Sequence, residues 1–117
     1  KNLLLSYIIK KSSVSIIVFD KNRKITYINE FGLNLYGYTE KELLGKPFEI
    51  LSGEKDRKRF IKNCIEQADA TGVWRGEDYR KNKNGKIFPS SAAITRMVDE
   101  NNIFLGYYDA SRDNSIR

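Results

Sequence analysis

The chain has 117 residues, 40% of them hydrophobic, enough for one domain with a single core and too few for two. One cysteine, Cys64, rules out an internal disulfide, and the lack of any histidine removes serine triads, phosphoacceptor histidines and the usual zinc and haem ligand sets. The net charge of +6 is spread along the chain in mixed-sign runs such as "KDRKR" and is not interleaved with base-stacking aromatics, so it reads as a solvated surface rather than a nucleic-acid site.

"LLLSYIIKK", Leu3 to Lys11, is apolar on most sides and then basic, and predicts a short helix that must bury itself against the domain or a second chain. "VSIIVFD" and "ITYIN", joined by "KNRK", predict a first hairpin from Val14 to Asn29. Asn29 is a good N-cap for "EFGLNLY", in which Phe31, Leu35 and Tyr36 are expected on one buried face before Gly37 ends the helix. "GYTEKELLG" follows, where Thr39 and Glu42 have the spacing of a reciprocal capping box. A helix of barely one turn is not stable alone, so Leu43 and Leu44 are expected to pin it to the rest of the molecule.

Pro47 opens another short segment, "PFEIL", and Ser52 is expected to cap a long helix from about Glu54 to Ala70. Phe60, Ile61, Cys64, Ile65 and Ala68 recur there at helical spacing on an otherwise charged rod, which makes Cys64 a small buried hydrophobe. The texture then turns to strands: Val73 to Lys81, an Asn84-Gly85 hairpin signal, Ile87 to Val98, a turn at "DENN", and Ile103 to Ser111. Strand pair, short helices, long helix and strand triplet predict an α+β fold in which helices cover one face of a five-stranded antiparallel sheet.

In this order the motifs resemble the PAS sensory domains. "FDKNRKITYIN" is similar to D-x-x-G-x-I-x-Y-x-N with Arg23 in place of the glycine, and "GYTEKELLG" to G-Y-[ST]-x-E-E-L-x-G. "GVWRGE" is similar to G-x-W-x-G-E, and "NKNGKIFP" to R-x-D-G-x-x-F. "DENN" aligns with D-E-x-G, and Arg112, Asp113, Asn114 and Ser115 with the closing R-D-I-T. The resemblance implies a PAS-like (profilin-like) sheet, with residues 1–12 a flanking helix, 13–112 the domain and 113–117 the start of a linker.

The resemblance also implies a sensory, non-catalytic module of a cytoplasmic signalling protein such as a histidine kinase or diguanylate cyclase. It would bind a small ligand or cofactor, form homodimers through the amino-terminal helix or the sheet, or both. A ligand-free interaction and dimerisation module is the alternative. No apolar run approaches the ~18 residues of a membrane span, and no contact with membrane or nucleic acid is expected. The chain begins without Met and is expected to be a piece of a longer protein.

The cofactor is left open. A histidine-ligated haem has no ligand here, and the cysteine of a covalent flavin photocycle is missing where this chain reads "GKPFEIL". Non-covalent flavin, as in relatives sharing the Trp74 position, stays open. Positions matching the family cavity are Trp74, Asp78 and Arg80, then Ser90, Ala92 and Ile94, then Tyr107, Asp109 and Ser111. Charges buried there need partners, so Arg80 is expected to meet Asp78 or Asp109, either as an internal ion pair or as a clamp for an anionic ligand group. Arg112 and Asp113 would form the signal exit to the effector.

Overall fold

A computed structural model describes residues 3–115. The elements run α1 (Leu3–Lys11), β1 (Ser15–Phe19), β2 (Ile25–Ile28), α2 (Glu30–Tyr36) and α3 (Glu40–Leu43), then a 3-10 turn at Phe48–Leu51. α4 (Arg57–Thr71) and the strands β3 (Val73–Lys81), β4 (Ile87–Val98) and β5 (Phe104–Asp113) complete the chain. The strands form one antiparallel sheet in the order β2-β1-β5-β4-β3, so the two chain-adjacent groups meet where β1 pairs with β5.

Alternation along the strands sends Ile17, Phe19, Ile94 and Tyr107 to one face, where α2, α3, the 3-10 turn and α4 cover them. Phe19 sits at the centre, stacked on Phe48 at 4.5 Å and Tyr107 at 5.3 Å between ring centroids. α2 lies close on β1 because Gly32 has no side chain: a Cβ there would meet Ser15 Oγ at 2.8 Å and Ile28 Cγ1 at 2.9 Å. Asn29 caps α2 by accepting from the Gly32 amide, and its side chain also accepts from Ile16 and donates to the carbonyls of Ile9 and Val14. One buried amide therefore joins α1, β1 and α2.

The capping box forms as its spacing predicts, with Thr39 and Glu42 exchanging side-chain and backbone bonds. Of the two expected anchors only Leu43 is buried, at 0% exposure, while Leu44 is 41% exposed. Four residues complete one turn and offer one inward position. On α2 the expected face is likewise shifted, with Tyr36 buried and Phe31 at the surface. α4 starts later than expected: Asp56, not Ser52, caps it, and Ser52 instead accepts from Glu54 in the preceding turn.

The β3–β4 connection runs from Asn82 to Lys86 rather than through a two-residue turn. Asn82 Oδ1 accepts from the Lys86 amide, and only Gly85 (φ +86°) takes the left-handed conformation. Arg23 (φ +66°) and Asn102 (φ +64°) also take it, at the two positions where the resembling motifs carry glycine. Both sheet edges are partly covered. Ile25 on β2 bonds Gly45 and Lys46 through both its backbone groups, and Tyr79 on β3 bonds the Gly53 amide through its backbone carbonyl. The Tyr79 amide donates to the Glu54 carboxylate.

Candidate functional site

Because β3 and β5 flank β4, inward residues of the outer two can meet only where β4 is low. Ala92 and Ser90 supply that gap. Arg80 fills it. Its Nε donates to Asp78 Oδ2 at 2.9 Å, Nη1 to Asp109 Oδ2 and to Tyr36 Oη at 3.0 Å each, and Nη2 to Asp109 Oδ1 at 2.9 Å. Ser90 Oγ donates to Asp78 Oδ1 at 2.8 Å, and Tyr36 Oη lies 3.4 Å from Ser111 Oγ. The guanidinium also stands 5.5 Å from the Phe48 ring centroid. The expected partnership of Arg80 is thus made with both carboxylates at once.

Arg80 is 1% exposed, Asp109 and Tyr36 0%, so they present essentially no surface that a water molecule could touch. The space is occupied by the side chains themselves. Burial pushes the Asp109 carboxyl up from its ordinary value, against the pull of Arg80 in the other direction. Burial would lower Arg80, but Asp109, Tyr36 and Asp78 together hold its guanidinium well above the ordinary range. The Tyr36 hydroxyl is raised by the same desolvation.

The nine cavity positions divide. Asp78, Arg80, Ser90, Asp109 and Ser111 converge on the network, and Ala92 leaves its room. Ile94 is plain core. Trp74 sits apart, half-buried and edge-on to Phe60 at 5.8 Å. Tyr107 turns its hydroxyl to Asp69 Oδ1 at 2.7 Å, where burial first and the carboxylate second push its phenol up to about 12. Asp69 also holds Arg96 at 3.3 Å, and Arg96 lies over Phe104.

Sequence reasoning missed Tyr36 as a network member. The available signal was a tyrosine closing a buried helix face, since a buried hydroxyl needs a partner. Arg112 and Asp113 are exposed on the end of β5, which runs on through both. Asn114 ties the exit to β4 through the Pro89 carbonyl and the Ser91 hydroxyl. Cys64 is buried on α4, its thiol pushed up to about 12 mainly by burial. Among the described residues no group of three or more His, Cys, Asp or Glu is placed to hold a metal ion, and no helix is long and apolar enough to cross a membrane.

Outside the network, a groove of about 600 Å³ runs between residues 53–56, α4 and the β3–β4 hairpin, lined in part by Phe60, Tyr79 and Ile87. A second, of about 560 Å³, separates α1 from β2 and is lined by Leu3, Tyr7, Ile9, Lys10 and Tyr27.

No curated protein sequence matches the chain. Among solved structures it is similar to the PAS domain of a protein from Colwellia psychrerythraea, with TM-score 0.90, 24% identity and 97% of each chain covered. It is also similar to the PAS domain, in complex with ethanol, of a LuxR-family transcriptional regulator from Burkholderia thailandensis (TM-score 0.80, 16% identity, 95% of this chain and 97% of that one). A PAS domain from a two-component sensor histidine kinase matches with TM-score 0.76 at 15% identity, over 95% of this chain and 94% of that one. The family model of the PAS domain matches residues 13–114, nearly the whole span from β1 to the exit of β5. The chain belongs to the PAS domain family.

Proposed function

We propose that this PAS domain is the sensory and dimerising module of a cytoplasmic signalling protein such as a histidine kinase or diguanylate cyclase. In this reading residues 1–12 form a flanking helix and 13–112 the sensory domain. Residues 113–117 begin the linker to a catalytic effector, with Arg112 and Asp113 as the exit. The observation that carries the dimer is α1: Leu3 is 81% exposed, Leu4 66% and Ile8 52%, and the groove beside Tyr27 leaves this apolar surface without cover from its own domain. Lys10 and Lys11 at its end keep the helix soluble at the margin of such a contact. Leu4→Glu with Ile8→Glu in the intact chain tests this. Light scattering should give a dimer mass for the parent and a monomer mass for the variant, and an equal mass for both refutes it.

The inner face works as a fastening between α2, β3 and β5 rather than as a ligand chamber, because Asp78, Arg80, Tyr36 and Asp109 satisfy one another and fill the gap over Ala92. Native mass spectrometry with an absorption scan of the purified protein should show the chain mass and no flavin or haem band. A co-purifying chromophore overturns this. Ligand binding keeps one supporting observation, the groove at Phe60, Tyr79 and Ile87, whose apolar walls suit a small hydrophobic molecule.

A further inference from the structure

Two carboxylates, Asp78 and Asp109, share the single guanidinium of Arg80, so the buried network carries one negative charge in excess when both are ionised. Every element packed on it can be searched for a compensating cation. α2 contributes Tyr36, a neutral phenol, and the 3-10 turn contributes the ring of Phe48. α4 contributes Cys64, a neutral thiol pushed up by burial first and then by the charges of Asp78 and Asp109. The segment before α4 brings Glu54, a further acid. β4 and β5 add only the hydroxyls of Ser90 and Ser111. Among the described residues, the salt bridges of Asp78 and Asp109 are both made with Arg80.

The two acids differ in access. Asp109 is sealed, 0% exposed, and held in a bidentate pair across β4. Asp78, its side chain 2% exposed, borders a recess of about 260 Å³ lined also by Glu54, Phe60, Glu77, Tyr79, Pro89 and Ser90. The recess is itself acidic at Glu54 and Glu77 and draws protons rather than anions. Asp109 is the carboxylate that loses most hydration on ionising, and its surroundings raise it accordingly.

We propose that the Asp78–Arg80–Asp109 network is a proton-operated clasp, in which uptake of one proton by Asp109 cancels the excess charge and breaks its bidentate bond to Arg80, leaving Arg80 with Asp78 on its own strand. The broken bond is the side-chain tie between β3 and β5, and β5 carries Asp109 four residues ahead of the exit at Asp113. Protonated Asp109 keeps a local partner, because its side chain already shares a hydrogen bond with Ser111, whose hydroxyl oxygen can accept from the acid. The opened arrangement keeps Arg80 on Asp78 through Nε and on Tyr36 through Nη1, while Nη2 gives up the acceptor it had in Asp109.

The test is a pH titration of the chain, uniformly labelled, followed by the carboxyl carbon signal of Asp109 and the guanidinium N–H signals of Arg80. Asp109 should titrate above its ordinary value of 3.8, and the Arg80 signals should move with the same midpoint. Asp78→Asn, which removes the excess charge and keeps an acceptor for Arg80, should lower that midpoint. If this variant does not fold, the titration of the parent decides alone. Titration of Asp109 at or below 3.8 overturns the proposal. So do Arg80 signals that stay fixed while Asp109 titrates, or a midpoint unmoved in a folded Asp78→Asn.

Discussion

Replacing Arg80 by methionine keeps most of the side chain's volume and removes its charge. In the native fold the guanidinium donates to Asp78, to Tyr36 and twice to Asp109, all within 3.0 Å and all buried. The variant strands two buried carboxylates without the cation that both of them bind. Removing one partner of a buried ion pair costs about 3–5 kcal/mol, a large part of the roughly 5–15 kcal/mol that holds a domain of this kind together. The cost depends on pH with a definite sign. Arg80 is what lowers Asp109 against burial, so without it the carboxyl rises further above its ordinary value. An acid raised in the folded state contributes stability at low pH that is lost as pH rises through the folded value. The deficit of Arg80→Met should therefore be greatest at neutral pH and shrink on acidification. Urea unfolding followed by Trp74 fluorescence measures it, and adding Asp78→Asn and Asp109→Leu should restore most of the loss. A deficit under about 1 kcal/mol at neutral pH would refute the fastening role, as would one that grows in acid; lost ligand binding with stability intact would make Arg80 a clamp instead.

Leu43→Ala should cost about 2–4 kcal/mol, as for other buried leucines. Leu44→Ala should stay within about 0.5 kcal/mol, because that side chain is largely in water; comparable losses in urea titrations would contradict the single anchor. Asn29→Ala removes four side-chain bonds at the junction of α1, β1 and α2 and should cost about 2–4 kcal/mol. It should also speed hydrogen exchange at Gly32, and unchanged exchange there would be the contrary result. Cys64, buried with its thiol raised to about 12, should react with a disulfide reagent only as fast as the domain opens. Modification at the rate of a free thiol would place it at the surface.

The order of the elements and the capping box were legible because each rests on local chemistry: β-branched runs, Thr39 with Glu42, and the apolar stripe of α4. The inward register of Asp78, Arg80 and Asp109 came from the family resemblance together with strand alternation. What stayed hidden depends on azimuth and on partners distant in sequence. Which of Leu43 and Leu44 faces inward turns on about 100° of rotation in a helix of one turn. The place of Tyr36 depends on Arg80, 44 residues away. Ser52 had the chemistry of a cap, but in the fold it closes the 3-10 turn and Asp56 takes the cap of α4. The connection from Asn82 to Lys86 escaped the dipeptide signal because Asn82, two residues earlier, closes the loop with its own side chain.

The covered strand borders limit how copies of this domain can meet. A free border is a template on which another chain can lay a strand, the first step towards runaway polymers. Here the outward-facing backbone of Ile25 on one side and of Tyr79 on the other is already engaged by segments of the same chain, and the next outward positions beside Tyr79 are the charged Glu77 and Arg75. Strand addition is thereby obstructed at both ends of the sheet. Any contact between copies is left to helix and face, where it can close at a finite number of subunits instead of zippering into fibres.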